Sequence, residues 1–264
     1  MTKRERADKL MMSRGLAESR QKAQALIMAG QVFAGEQKLE KPGQLVGVEK
    51  ELTVRAGIPY VSRGGFKLAE ALDAFAFSVA GKVAADLGSS TGGFTDCLLQ
   101  RGARRVFAVD VSISQLDWRL RNDPRVTTIE KNARDLRRDH FAEPPWVVTM
   151  DLSFISVLKV LPAVRGFLDD GILLSLLKPQ FEAGRGRVGK NGVLRDPVQH
   201  EEVLNRLLEG AAELRFRVRG LIRCSLRGQR GNREFFVFWT LTEPGLAPPQ
   251  VRELVRKVVY EEKN

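Results

Sequence analysis

The chain has 264 residues and a formal net charge of +11, from 43 Lys and Arg against 32 Asp and Glu. That length suits one large domain plus a small one, and 43% hydrophobic residues is normal for a globular core. The charge points to a polyanionic partner, either nucleic acid or an anionic membrane surface. The two cysteines, Cys97 and Cys224, are far apart in apolar stretches, which reads as buried thiols in a reducing compartment. His140 and His200 are isolated, so no metal site is expected. The charged N-terminal stretch has no apolar targeting core, and the longest apolar run, Gly171–Leu177, is too short to span a bilayer. No membrane partner is therefore expected, and the expected location is cytoplasmic.

Residues 1–55 read as a first, small domain. Lys3–Met12 is predicted as a basic helix ending at Gly15, and Ser19 caps a second helix on which Ala23, Leu26 and Ile27 share a face. Gly30 stops it. Short strands follow at Gln31–Ala34 and Glu51–Val54, with turns at Gly35 and Pro42–Gly43. Two helices and a small β unit with one basic face suit a phosphate backbone. The candidate RNA contacts are Arg4, Arg6, Lys9, Arg14, Arg20 and Lys22; a merely solvated surface is the alternative. The run R-A-D-K-L-M-M-S-R-G-L-A-E-S-R-Q-K-A-Q-A-L-I-M-A-G-Q-V over 6–32, with the Gly35 turn and K-P-G at 41–43, resembles the S4 RNA-binding domain. The resemblance implies a structured RNA without naming a chemistry.

Residues 56–62 read as a linker into a second domain over 63–264. Pro59 keeps the entry extended, and Ser62 or Arg63 opens a helix that carries Lys67. Arg63 joins the candidate RNA contacts. V-A-A-D-L-G-S-S-T-G-G-F-T-D-C-L-L over 83–99 is then a strand, a tight Gly turn and a helix N-terminus, which sets a nucleotide-like ligand against bare backbone N–H groups. The Gly88–Gly93 spacing fits a P-loop, but Phe94 stands where the phosphate-binding Lys is required, which disfavours an NTP. Asp86, just before the turn, suits a cationic ligand without phosphates. S-adenosylmethionine, with its amino group and sulfonium, is such a ligand. Gly88, Ser89, Ser90, Gly92, Gly93 and Phe94 are its candidate contacts. The next strand, R-V-F-A-V-D, ends in Asp110, placed to accept hydrogen bonds from ribose hydroxyls. NAD stays open at this point, although the turn is not G-x-G-x-x-G.

A third strand at 126–130 precedes Asn132 and Ala133, candidate contacts to the adenine. Further strands are predicted at Val147–Met150, Gly171–Leu177, Val218–Ser225 and Glu234–Thr240, with helices near 94–101, 114–121, 155–167 and 197–214. Asp196 caps the last of these, with Pro197 at its first position. Alternating strands and helices give an α/β, Rossmann-like, mostly parallel sheet covered on both faces. The last two strands form a hairpin, so one strand runs antiparallel. A final helix over 249–262 places Val251, Leu254, Val255, Val258 and Val259 on one stripe against the sheet. The loop Gly184–Arg195 is basic and Gly-rich and offers Arg185, Arg187 and Lys190 to RNA; a solvated loop is the alternative.

Ligands of such sheets bind beyond the carboxyl ends of the strands. Asp151 ends one strand and Lys178 another, Glu234 begins the antiparallel strand, and Lys67 reaches the same edge from its helix. Two lysines and two acids are therefore expected to converge beside the cofactor's methyl. A ribose 2′-hydroxyl is a poor nucleophile, and attack on a methyl sulfonium needs its proton removed or its oxyanion stabilised. A lysine acts as the base when its pKa falls from about 10.4 toward ~7–8. When charged, it steadies the developing alkoxide instead.

The segments S-R-G-G-F-K-L, D-L-G-S-S-T-G-G-F-T, L-R-N-D-P-R-V, D-L-S-F-I-S, K-P-Q-F-E and G-N-R-E-F-F resemble the FtsJ/RrmJ-type 2′-O-ribose methyltransferases over 62–242. Their catalytic Lys-Asp-Lys-Glu set maps onto Lys67, Asp151, Lys178 and Glu234. The whole chain is similar to the TlyA family of rRNA methyltransferases, also known under the name hemolysin. The resemblance implies 2′-O-methylation of cytidine in small- and large-subunit rRNA from S-adenosylmethionine, with Asp151 also near the cofactor. Two alternatives stand beside it: a membrane-active protein, as the older name suggests, and a non-catalytic RNA-binding assembly factor of the ribosome.

Overall fold

The computed structural model describes residues 4–28, 30–54, 59–184, 187–189, 192–228 and 230–261. The chain divides into two compact units, Met1–Pro59 and Tyr60–Asn264.

In the first unit, β1 (Arg4–Arg6) leads into α1 (Ala7–Ser13), α2 (Arg20–Met28), β2 (Val32–Ala34), β3 (Gln37–Lys38), β4 (Leu45–Gly47) and β5 (Leu52–Val54). The basic helix expected from Lys3 starts later. Arg4–Arg6 is extended because it pairs antiparallel with β4, Arg4 opposite Gly47 and Arg6 opposite Leu45. Strand β2 lies between β3 and β5. The Ser19 hydroxyl accepts from the Lys22 amide at 3.1 Å, capping α2 as its sequence predicts. Ala7, Leu10, Met11, Ala23, Ile27, Val32 and Leu52 make a small apolar core of their own.

The second unit begins with α3 (Arg63–Ala74), β6 (Val83–Leu87), α4 (Gly93–Gln100), β7 (Arg105–Asp110), α5 (Trp118–Arg121) and β8 (Val126–Glu130). It continues with β9 (Val147–Met150), α6 (Leu161–Phe167), β10 (Ile172–Leu177) and α7 (Pro179–Glu182), then α8 (Pro197–Glu213), β11 (Arg217–Arg223), β12 (Phe235–Thr240) and α9 (Pro248–Tyr260). The seven strands stand in the order β11-β12-β10-β9-β6-β7-β8. All the neighbours from β10 to β8 are parallel, and β12 is antiparallel to both β10 and β11. The chain winds outward one way from β6 through β7 and β8, and the other way from β9, so the switch point lies between β6 and β9, where doubly wound sheets bind ligands.

Both faces of this sheet are apolar, and the period of two sorts them. Leu87, Phe107, Leu173 and Trp239 pack on one side with α6, α8 and α9. Ala84, Val106, Leu174, Phe236 and Phe238 pack on the other with α3 and α4. Two predicted helices are shorter than expected. Over 113–121 a 3-10 turn at Ile113–Gln115 precedes α5, which Asp117 restarts by accepting from the Arg119 amide at 2.9 Å. Over 157–167 a 3-10 turn at Val157–Lys159 precedes α6, whose first turn holds Pro162. Asp196 caps α8 through the Val198 amide at 3.0 Å.

Candidate active site

The loop from β6 into α4 carries two closely packed glycines. Gly88 has a φ of +86°, and a Cβ there would come within 2.5 Å of the Asp151 carbonyl oxygen. A Cβ on Gly93 would lie 2.2 Å from the Ser62 Oγ. Only glycine fits either position. The bare loop and the first turn of α4 then border a cavity of about 870 Å³ at the carboxyl edge of the sheet.

Lys67, Asp151, Lys178 and Glu234 all line this cavity. Lys67 projects from α3 and Glu234 immediately precedes β12; their Nζ and Oε2 atoms are 2.5 Å apart, with side chains only 10% and 4% exposed. Asp151 follows β9 and Lys178 follows β10, again 2.5 Å apart, and Lys178 Nζ also donates to the Ser153 Oγ at 3.0 Å. The register explains the meeting. β9 and β10 are parallel, so both leave the sheet at its carboxyl edge, and antiparallel β12 enters at that same edge. The result is two lysine–carboxylate pairs facing one space.

Gly88, Ser89, Ser90, Gly93 and Phe94 share the lining. Phe94 also stacks on Phe236 at 5.7 Å. Gly92, with φ +97°, sits beneath Leu116 and Leu120. Asp110 ends β7 and braces the loop, accepting from the amides of Ser90 at 2.9 Å and Ser112 at 3.2 Å. Asn132 caps a 3-10 turn at Ala133–Asp135 through the Arg134 amide, and Ala133 is buried. Asp110, Asn132 and Ala133 lie along the ends of β7 and β8, outside the cavity lining. Asp86 does not reach the cavity either. It is fully buried, accepts from the Thr95 and Thr149 hydroxyls at 2.7 and 3.1 Å, and desolvation pushes its carboxyl up to about 7. It ties α4 and β9 together beneath the loop.

The candidate RNA contacts fall into three groups. Arg6 and Arg20 hold the buried Asp8, and Arg14 donates to the carbonyls of Lys50 and Val48. Arg4, Lys9 and Lys22 are exposed on the first unit. In the second unit Arg63 lines the cavity and donates to the Arg227 carbonyl at 2.8 Å, and Arg187 pairs with Glu202. Arg185 and Lys190 lie outside the described residues.

Sequence reasoning missed one pair. Phe154 is 88% exposed with a left-handed φ of +64°, and its ring sits 4.8 Å from that of Phe181. Both rings line the cavity beside Lys178. A non-Gly residue held at positive φ with its ring in solvent is a strained feature of the kind found at functional sites. Both residues stand inside quoted motifs, D-L-S-F-I-S and K-P-Q-F-E, but only tertiary structure brings them together.

The cavity fits S-adenosylmethionine. Backbone approaches it bare at Gly88 and Gly93, a helix N-terminus opens beside it for a carboxylate, and the Ser89 hydroxyl is buried without a partner. Asp151 and Glu234 supply acceptor charge for a cation. Among the described residues no group of His, Cys, Asp and Glu could hold a metal ion, and no helix is long and apolar enough to cross a membrane.

Comparison with known proteins agrees with this geometry. Residues 60–241 match the FtsJ-like methyltransferase family and residues 5–52 match the S4 domain. The chain is 42% identical over 266 residues to the 16S/23S rRNA (cytidine-2′-O)-methyltransferase TlyA of Mycobacterium tuberculosis, covering 99% of each protein. It is 40% identical over 239 residues to Hemolysin A of Brachyspira hyodysenteriae, covering 89% of this chain and all of that one. A solved hemolysin candidate from Streptococcus thermophilus superposes with a TM-score of 0.73 at 39% identity, covering 98% of this chain and 96% of that one. With a family match across the catalytic unit and relatives aligned over nearly the whole length, this protein belongs to the TlyA family of FtsJ-like methyltransferases and is an enzyme that takes its methyl group from S-adenosylmethionine.

Proposed function

We propose that this methyltransferase modifies the ribose 2′-hydroxyl of a cytidine in ribosomal RNA, with Lys67, Asp151, Lys178 and Glu234 as its catalytic residues. One observation carries the reading: two lysine–carboxylate pairs, each at 2.5 Å, face the same cavity as the bare Gly88–Gly93 loop. The name of the Mycobacterium tuberculosis relative supports the substrate.

The bound cofactor supplies an electrophilic methyl on a sulfonium. Lys178 is ion-paired with Asp151 and donates to Ser153, which leaves its ammonium a hydrogen to offer the 2′-oxygen. It orients that oxygen toward the methyl and steadies the negative charge that develops there while the hydroxyl proton passes to solvent water. Lys67, held by Glu234, adds positive charge to the same space. The carboxylates keep both long side chains in one rotamer, so little reorganisation is needed at reaction.

The rest of the cavity suits a nucleotide drawn out of its stack. The Phe154–Phe181 pair offers a platform for a base. Arg63 and Arg227 on the rim suit flanking phosphates. The S4 unit, residues 1–55, serves as the RNA grip, residues 56–62 as its linker, and residues 63–264 as the catalytic domain.

The test is transfer of labelled methyl from S-adenosylmethionine to purified, unmodified small and large ribosomal subunits, with Lys178→Ala alongside. Transfer by wild type and not by the variant, at equal cofactor affinity, supports the reading. No transfer to either subunit, from protein that binds the cofactor, removes ribosomal RNA as the substrate.

A further inference from the structure

We infer that Glu182 is a positioning residue, the anchor that holds the Phe154–Phe181 platform and Lys178 in register over the cavity. The inference deepens the reading above and rests on it for the role of the platform.

Glu182 is the last residue of α7 and is only 8% exposed. Its Oε1 accepts from the Val157 amide at 2.8 Å, and the Ser156 hydroxyl donates to the same carboxylate. Its own carbonyl accepts from Arg206 Nη2 at 2.5 Å, which pins α7 to α8. The one turn of α7 therefore touches the 151–157 loop at three levels. Lys178 precedes the turn and holds Asp151 and Ser153. Phe181 meets Phe154 in the middle. Glu182 closes the far end on Ser156 and Val157.

Phe154 needs such a closure. Its exposed ring makes few contacts that could fix it, and its left-handed backbone is costly unless the flanking chain is held on both sides. On one side Ser153 is held by Lys178; on the other, Val157 is held by Glu182. A buried carboxylate loses hydration that only strong donors offset. Burial raises the Glu182 carboxyl above its ordinary value, so the bonds from Ser156 and Val157 do not fully restore what it loses. A glutamine at this position keeps the acceptor for Val157, whereas an alanine removes it.

The test compares wild type with Glu182→Ala and Glu182→Gln in the full chain. Amide hydrogen exchange reads the segment 152–158, and methyl transfer to ribosomal subunits reads KM and kcat alongside cofactor affinity. In Glu182→Ala, exchange at Val157 rises about tenfold or more and the RNA KM rises by a similar factor, with cofactor affinity within about threefold of wild type. Glu182→Gln restores both. If the alanine variant does not fold, Glu182→Met fills the space, removes the acceptor and is read the same way. Unchanged Val157 exchange overturns the inference. So does a loss of cofactor binding that parallels the loss of RNA binding, because it marks general destabilisation. If wild type transfers no methyl to ribosomal RNA, the proposed substrate fails, and the exchange arm alone decides for or against the anchor.

Discussion

Asp8 in the first unit and Asp86 in the second are both fully buried, and the two units hold them in opposite ways. Asp8 is surrounded by Arg6, Arg20 and Gln24, whose donors keep its carboxyl well below the usual range. Those arginines remain about half exposed, at 41% and 52%, so the unit uses a buried acid to fix cations on its surface. Asp86 meets neutral donors, the Thr95 and Thr149 hydroxyls and the Thr95 amide, and burial pushes it up to about 7. The second unit also carries exposed pairs such as Arg101–Asp73 and Arg187–Glu202, but its two least exposed pairs, Lys67–Glu234 and Lys178–Asp151, face its cavity. The cluster around Asp8 displays its charge; the two pairs at the cavity of the second unit enclose theirs. Display suits a long-range grip on a polyanion, and enclosure suits chemistry at one atom.

The largest test of this division is Lys178→Ala. It removes a cation from the enclosed set and is expected to lower methyl transfer by at least ~10³-fold while subunit binding changes little. An equal fall in binding would mean that the enclosed charges also serve the grip. Next in size is Lys67→Met. It leaves the buried Glu234 carboxylate without its ammonium, at a cost of about 3 kcal/mol in unfolding free energy. Adding Glu234→Gln recovers most of that stability but none of the activity. Denaturant unfolding of the three proteins checks the first point and methyl transfer the second. Full stability in Lys67→Met alone would show the pair to be hydrated.

The two aspartates predict opposite responses to pH. Asp86 has a raised folded value, so its stabilising contribution is complete below the unfolded value near 3.9 and is lost as pH rises through about 7. Between pH 5 and 8 that loss is of order 2 kcal/mol, at ~1.4 kcal/mol per unit. Asp8 has a lowered value, so its contribution is present above about 3.9 and is lost only in acid. Hydrogen exchange of the full chain should therefore show the second unit loosening from pH 5 to 8 while the first stays flat. His200 complicates the raw profile, because burial lowers its own value and gives the reverse slope. The difference between wild type and Asp86→Asn isolates the acid, since the amide still serves both threonines. Parallel profiles for the two proteins would show that Asp86 is ionised in the fold.

Much of the catalytic edge is legible in the sequence because it is topological. Asp151 and Lys178 end apolar runs, and Glu234 begins one, so the sheet rule alone brings them together. Strands 126–130 and 147–150 are readable to the residue for a different reason: V-T-T-I and V-V-T are runs rich in β-branched residues. Arg4–Arg6 is not readable as a strand, because R-E-R has no alternation and its partner, Leu45–Gly47, lies some forty residues away. The burial of Asp86 is equally hidden. An acid closing a strand looks the same in one dimension whether it faces the ligand or, as here, turns beneath the loop toward Thr95 and Thr149. Phe154 reads as a core residue by type, and only the structure shows its exposed ring and left-handed backbone.

The smallest expected effect bears on the displayed half. Lys9 and Lys22 are exposed, while Arg6, Arg20 and Arg14 already hold partners inside the unit. A lysine that meets a phosphate releases a counterion on binding, so each one adds about 0.7–0.9 to the slope of log affinity against log salt. The double variant Lys9→Ala/Lys22→Ala should therefore flatten that slope by about 1.5 and weaken binding to ribosomal subunits several-fold at low salt. At saturating RNA, kcat should stay as it is, because no enclosed charge has changed. Binding measured across a salt series, beside kcat, separates the two halves. A flattened slope with intact kcat keeps the division between grip and chemistry. An unchanged slope moves the grip onto the fixed guanidinium groups of Arg6 and Arg20, and the buried Asp8 would then matter for RNA affinity as well as for the fold of its unit.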